Sequence, residues 1–159
     1  MAKFSKNTLT QISGFDNPII AGELVYNQKT FWNLSFATDG TPVDLTGATI
    51  TAQILRREIS DLQDTRYGLT FNIADYTPTP TPVTLTITNR SDASGLFTLV
   101  IDESAWGVIS SDPELNIAVN NCVAFSGRIK ISFPVSGTTP ANDNIIFLLF
   151  LVRSDGVVN

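Results

Sequence analysis

The chain has 159 residues, and its 15 acidic and 10 basic side chains give a formal net charge of −5. It has no histidine and one cysteine, which excludes an internal disulfide, a His-ligated zinc site and a Ser-His-Asp or Cys-His catalytic centre made by this chain alone. The acidic balance argues against electrostatic binding of nucleic acid, and the low charged fraction of 16% favours a β-rich binding or structural protein over an enzyme.

The first 18 residues carry scattered apolar side chains without a sustained period. We therefore expect an N-terminal arm at 1–18, followed by a single domain at 19–159. The arm has no apolar core of the kind that a secretory signal needs, so we expect synthesis in the cytosol. Its apolar side chains are predicted assembly contacts: Phe4, Leu9, Ile12 and Phe15.

From residue 30 onwards, apolar and polar side chains alternate with a period of two, which is typical of strands with one buried face. Turn-forming residues separate the alternating stretches, and the spacing is typical of a β-sandwich or a β-barrel. One short helix is expected at Glu103–Ile109, with Asp102 or Ser104 as its N-cap. The predicted strands are Thr30–Phe36, Ala48–Leu55, Val83–Thr88, Leu96–Ile101 and Ser126–Phe133.

A proline repeat interrupts the pattern between the second and third of these strands. Pro78, Pro80 and Pro82 occupy alternate positions and cannot donate to a sheet ladder. They predict an extended loop, which we expect to contact neighbouring subunits.

The last strand, Ile145–Val152, is apolar on both faces. It is too short for a membrane helix, and no membrane partner is expected. Its outer face is either covered internally, by the arm or the helix, or buried against another subunit. The face that bears Ile146, Leu148 and Phe150 is the predicted assembly contact.

Reactive chemistry is absent from the sequence pattern. No Gly-rich phosphate loop and no metal-ligand spacing are present, and most carboxylates lie beside turns. We therefore predict no catalytic residue, no cofactor and no metal. Trp32 and Trp106, with Tyr67 and Tyr76, could form a sugar-stacking surface, which keeps glycan binding open as an alternative.

The stretch "FWNLSFATDGTPVDLTGATITAQIL" contains an apolar strand, a first turn at Asp39, Gly40 and Pro42, and a second turn at Asp44–Ala48 that leads into an alternating strand. In the second turn, Asp44 can accept the amide of Thr46, Leu45 can enter the core, and Gly47 can take a positive φ. This stretch resembles a module of tailed-bacteriophage virion proteins, the immunoglobulin-like β-sandwich at the start of the baseplate upper protein and in related tail and fibre-attachment proteins. The segments "SDASGLFTLVI" and "FSGRIKISF" are also similar to strands of that module.

The resemblance, which covers about two-thirds of the chain, implies an all-β, immunoglobulin-like antiparallel sandwich. It also implies a non-enzymatic structural component of a phage virion, at the tail, baseplate, neck or fibre-attachment level. The expected partners are other virion proteins and copies of the chain itself, with no nucleic acid or membrane, and the expected location is the virion. The alternatives are a capsid decoration protein and a carbohydrate-binding adhesin module.

Overall fold

A computed structural model of the chain describes residues 17–57, 81–116 and 122–153. These residues form nine strands, one α-helix and two short 3₁₀ turns at Asp92–Ser94 and Pro113–Asn116. The helix, α1, spans Glu103–Ile109, as predicted. The strands are β1 Ile19–Val25, β2 Thr30–Ser35, β3 Ala37–Thr38, β4 Thr41–Pro42, β5 Thr49–Arg56, β6 Val83–Ser91, β7 Leu96–Ile101, β8 Cys122–Phe133 and β9 Asn142–Arg153.

Seven strands form one sheet in the order β1-β9-β8-β5-β6-β7-β2, and β3 and β4 form a separate hairpin. The long sheet folds over on itself at β6, whose first residues pair with β5 and whose later residues pair with β7. The two layers pack face to face. Between them, the ring of Trp32 in β2 stacks on the ring of Phe150 in β9, with 5.0 Å between the ring centroids. The result is a mainly β sandwich that approaches a closed barrel.

The sheet is mixed, so the expectation of a wholly antiparallel sandwich was wrong at one edge. β1 runs parallel to β9, and the other pairs in the described residues are antiparallel. A parallel pair needs a long crossover connection. β1 and β9 lie near opposite ends of the described chain, so the rest of the domain serves as that crossover. The sequence Ile19–Val25 lacks clean alternation, and no strand was predicted there.

The core follows from the alternation that the sequence shows. The inward side chains of each strand are almost fully buried, while the intervening polar ones are mostly exposed. Burying large aliphatic and aromatic side chains is the main favourable term for such a fold, at roughly 1.5–3 kcal/mol for each. The largest fully buried side chains on the strands include Leu34, Ile54, Phe97, Leu99, Phe125 and Phe150.

Helix α1 closes the end of the sandwich where β1 passes into β2. Asp102 is its N-cap, with Oδ1 accepting a hydrogen bond from the amide of Ala105 at 3.1 Å. Trp106 is buried, and its Nε1 donates to the carbonyl of Gln28 at 2.7 Å. The Trp106 ring also packs edge-on against Tyr26 at 5.8 Å. The helix thereby fixes the four-residue connection between the two layers.

A buried ion pair joins the end of β5 to the segment after α1. Arg56 Nε donates to Asp112 Oδ2 at 2.8 Å, and both side chains are fully inaccessible. Arg56 also donates to the carbonyl of Arg57, and the Asp112 amide donates to Ile109. Two opposite charges can be buried together only when they are paired and hydrogen-bonded. This pair was not predicted from the sequence.

Candidate assembly surface

The two apolar faces of β9 have different environments. Ile146, Leu148 and Phe150 point into the core and are at most 2% exposed. The prediction that this face contacts other subunits was therefore wrong, because these side chains fill the space between the layers. The opposite face bears Phe147 and Leu149, which are 43% and 42% exposed.

These outward side chains belong to the outer face of the sheet formed by β1, β9, β8 and β5. Leu149 on β9 pairs with Ser126 on β8, and Ser126 pairs on its other side with Leu55 on β5. Leu55 is 42% exposed. Leu55 and Leu149 therefore lie in one row across the face. We call the surface lined by these strands the outer face.

The outer face contains an open groove of about 990 Å³. Ile19, Leu55, Phe147 and Leu149 supply much of its apolar lining. Gly127 lies in its floor, where a Cβ atom would collide with the carbonyl oxygen of Gln53. Glycine thus allows the backbones of β8 and β5 to approach closely beneath the groove.

The charged side chains that line the groove are basic. Arg57, Arg128 and Lys130 contribute to the lining, and no carboxylate does so among the described residues. Lys130 Nζ pairs with Asp143 at 2.8 Å beyond the groove. The hydrogen bond from Lys130, with a further one from Ser132, holds the pKa of Asp143 below its usual value. The groove is therefore apolar and basic in a chain of net charge −5.

Several predicted contacts cannot be compared with this surface. Within the proline repeat, Pro82 immediately precedes β6, is exposed and lines the groove. The remaining predicted contacts lie outside the described residues; they are Phe4, Leu9, Ile12, Phe15, Pro78 and Pro80.

The second turn of the quoted stretch has the geometry that its sequence implies. The amide of Thr46 donates to Asp44 Oδ1 at 2.8 Å, and hydrogen bonding by Thr46 lowers the pKa of Asp44. Gly47 has φ +78°, and Leu45 is fully buried. The carbonyl of Leu45 also accepts a hydrogen bond from Arg90. The turn therefore anchors the start of β5 to the other layer, away from the outer face.

The two tryptophans are not available for stacking against a sugar. Trp32 is 7% exposed and Trp106 is 2% exposed, so both contribute to the core. Tyr67 and Tyr76 lie outside the described residues. Within 17–57, 81–116 and 122–153, no three His, Cys, Asp or Glu side chains come together as a metal site would require. No helix in this part of the chain has the length and apolar character needed to cross a membrane.

Phe147, Leu149 and Leu55 of the outer face were not among the predicted contacts. A signal for β9 was present, because Asp143 and Arg153 have the same parity along the strand as Phe147 and Leu149. Charged side chains near both ends of a strand mark its solvent-facing side. That parity identifies the outward face even though the middle of the strand is apolar on both sides.

Comparison of the chain with protein-family models gives no match, and comparison with the curated proteins gives none either.

Proposed function

We propose that the sandwich is immunoglobulin-like. When the strands of the long sheet are lettered A to G in chain order, β2, β7 and β6 correspond to B, E and D. Strands β5, β8 and β9 correspond to C, F and G. The orders B-E-D and C-F-G are those of the two layers of an immunoglobulin domain. Strand A, which is β1, joins G instead of B.

We further propose that the chain is a non-enzymatic structural component of a phage virion, at the tail, baseplate, neck or fibre-attachment level. Its sequence resemblance to the sandwich module of phage tail proteins supports this function, together with the strand order. On this proposal the chain acts by burying surface against neighbouring virion subunits.

The exposed apolar outer face is the observation that carries the assembly role. Phe147, Leu149 and Leu55 are each more than two-fifths exposed on a continuous sheet face, next to Ile19. Contiguous exposed apolar surface of this kind is typical of protein interaction sites. In an assembled particle, a neighbouring subunit would remove it from water.

To test this role, the tagged chain and its Leu149→Ser variant are each expressed in cells that produce the phage particles, and the particles are then purified. We expect the unaltered chain in the purified particles and a strong loss of the variant, because serine removes one of the exposed apolar side chains of the outer face. Quantitative mass spectrometry of the particles measures both.

Leu96→Ser provides the matched control. Leu96 is 41% exposed, almost the same as Leu149 at 42%, but it lies on β7 in the other layer. We expect this variant to enter particles normally. Absence of the unaltered chain from particles would contradict the virion location, and equal incorporation of both variants would contradict assembly through the outer face.

A further inference from the structure

The outer face presents different chemistry in two neighbouring rows. One row contains Leu55 and Leu149, with Ser126 between them. The next row contains Arg128 on β8, paired with Phe147 on β9. The rows are two residues apart along each strand, which is about 7 Å. The face therefore alternates an apolar site with a site that combines an aromatic ring and a cation.

The charged side chains of the groove determine which sign of charge its partner should carry. Arg57 and Arg128 are exposed, Lys130 lies beside them, and the described lining contains no acidic side chain. An incoming carboxylate would be attracted by Arg128 without repulsion from the described lining, whereas an incoming cation would meet a like charge there.

We infer that the groove binds an extended segment of a partner protein whose side chains on one side alternate between apolar and acidic. Side chains on one side of an extended segment repeat about every 7 Å, which matches the spacing of the rows. An apolar side chain would then lie over Leu149 while the next one on that side, a carboxylate, reaches Arg128. The inference rests on the proposed function, because it names the partner of the same outer face.

Binding of labelled synthetic peptides to the full chain tests this inference by fluorescence anisotropy. The probe consists of three repeats of Leu-Ser-Glu-Ser, which places leucine and glutamate alternately on one side. The two comparison peptides replace every glutamate by lysine or every leucine by alanine. We expect the probe to bind roughly tenfold more tightly than either comparison peptide. Equal affinity for all three, or no binding, would overturn the inference.

Charge reversal identifies the groove as the binding site. We expect Arg128→Glu to lower the affinity for the probe and to raise the affinity for the lysine peptide. Lys29→Glu makes the same change of charge at an exposed position in the β1–β2 connection, outside the groove, and should leave both affinities unchanged. Equal effects of the two substitutions would mean that only net charge matters, which would overturn the inference.

Light scattering on the same samples tests whether a second copy of the chain, instead of a partner segment, occupies the outer face. A chain that dimerises, becomes monomeric on Leu149→Ser and binds no peptide would have a second copy on the outer face, contrary to the inference. If the peptides fail while Leu149→Ser still abolishes incorporation into particles, the partner assignment is wrong and the proposed function stands. If Leu149→Ser enters particles normally, the proposed assembly role fails whatever the peptides do.

Discussion

At the scale of single residues, the Asp102 carboxylate links protonation to stability. It accepts a hydrogen bond from the Thr86 hydroxyl and another from the Ala105 amide, and these contacts lower its pKa from the ordinary value of 3.8. A folded-state pKa below the unfolded one means that the ionised form stabilises the fold. This contribution is fully present above pH 3.8 and is lost as the pH falls through the lowered value.

We predict that Asp102→Ala reduces the free energy of unfolding at pH 7 by about 1 kcal/mol, the usual effect of removing an N-cap. The difference from the unaltered chain should shrink as the pH falls from 3.8 through the lowered pKa, because the carboxyl becomes protonated first in the unfolded state and then in the folded state. Urea unfolding at a series of pH values measures it. Glu103→Gln, which removes a neighbouring charge but no cap, is the control. A pH-independent loss for Asp102→Ala would contradict the linkage.

At the scale of elements, the strands with one solvent-exposed face were predictable from the local sequence pattern, and so was α1. The alternation places Ala52 and Ile54 in the core, and Asp102 caps the helix as its sequence position indicates. The pairing of β1 with β9 was not predictable, because it joins segments far apart in the chain without a local signal. The direction in which β9 faces was readable only from the charges near its ends.

The buried pair of Arg56 and Asp112 shows the same limit. The two residues are 56 positions apart, and each alone is typical of a solvated surface side chain. Only the tertiary fold brings the end of β5 against the segment after α1. Their contact therefore emerges from the packing of elements, and its strength can be measured at that level.

We predict that Asp112→Leu lowers the free energy of unfolding by about 3–5 kcal/mol, because it leaves the Arg56 guanidinium buried without its carboxylate. Adding Arg56→Met should recover much of this loss, since both buried charges are then gone. Urea denaturation of both single variants and the double variant forms the double-mutant cycle. Asp143→Asn, at the exposed pair with Lys130, should change stability little. Additive losses at Arg56 and Asp112 would contradict strong coupling between them.

At the scale of the whole molecule, one end of the sandwich and one of its faces differ in character. The β1–β2 end is held by Trp106, while the apolar and basic groove occupies the outer face of β1, β9, β8 and β5. The composition was sufficient to favour a structural protein. It could not show that three basic side chains of an acidic chain, Arg57, Arg128 and Lys130, line a groove on one sheet face. That arrangement depends on the register of β5, β8 and β9.

The boundary between arm and domain provides the last prediction. The carbonyl of Pro18 accepts a hydrogen bond from the amide of Phe147 at 2.9 Å, and β1 pairs with β9 from Ile19 onwards. The domain therefore needs residue 18, and removal should stop at residue 16. We predict that deleting 1–16 leaves the melting temperature nearly unchanged but abolishes incorporation into particles, because the apolar side chains of the arm are then missing.

Calorimetry and particle composition measure the two effects separately. Deleting 1–25 is the comparison. It removes β1 together with the fully buried Ile20 and Leu24, and burial of two such side chains contributes roughly 3–6 kcal/mol. That variant should unfold at a much lower temperature. If deletion of 1–16 unfolds the domain, the arm belongs to the fold. If it leaves particle assembly normal, the arm has no part in the contacts, which must then come from the outer face alone.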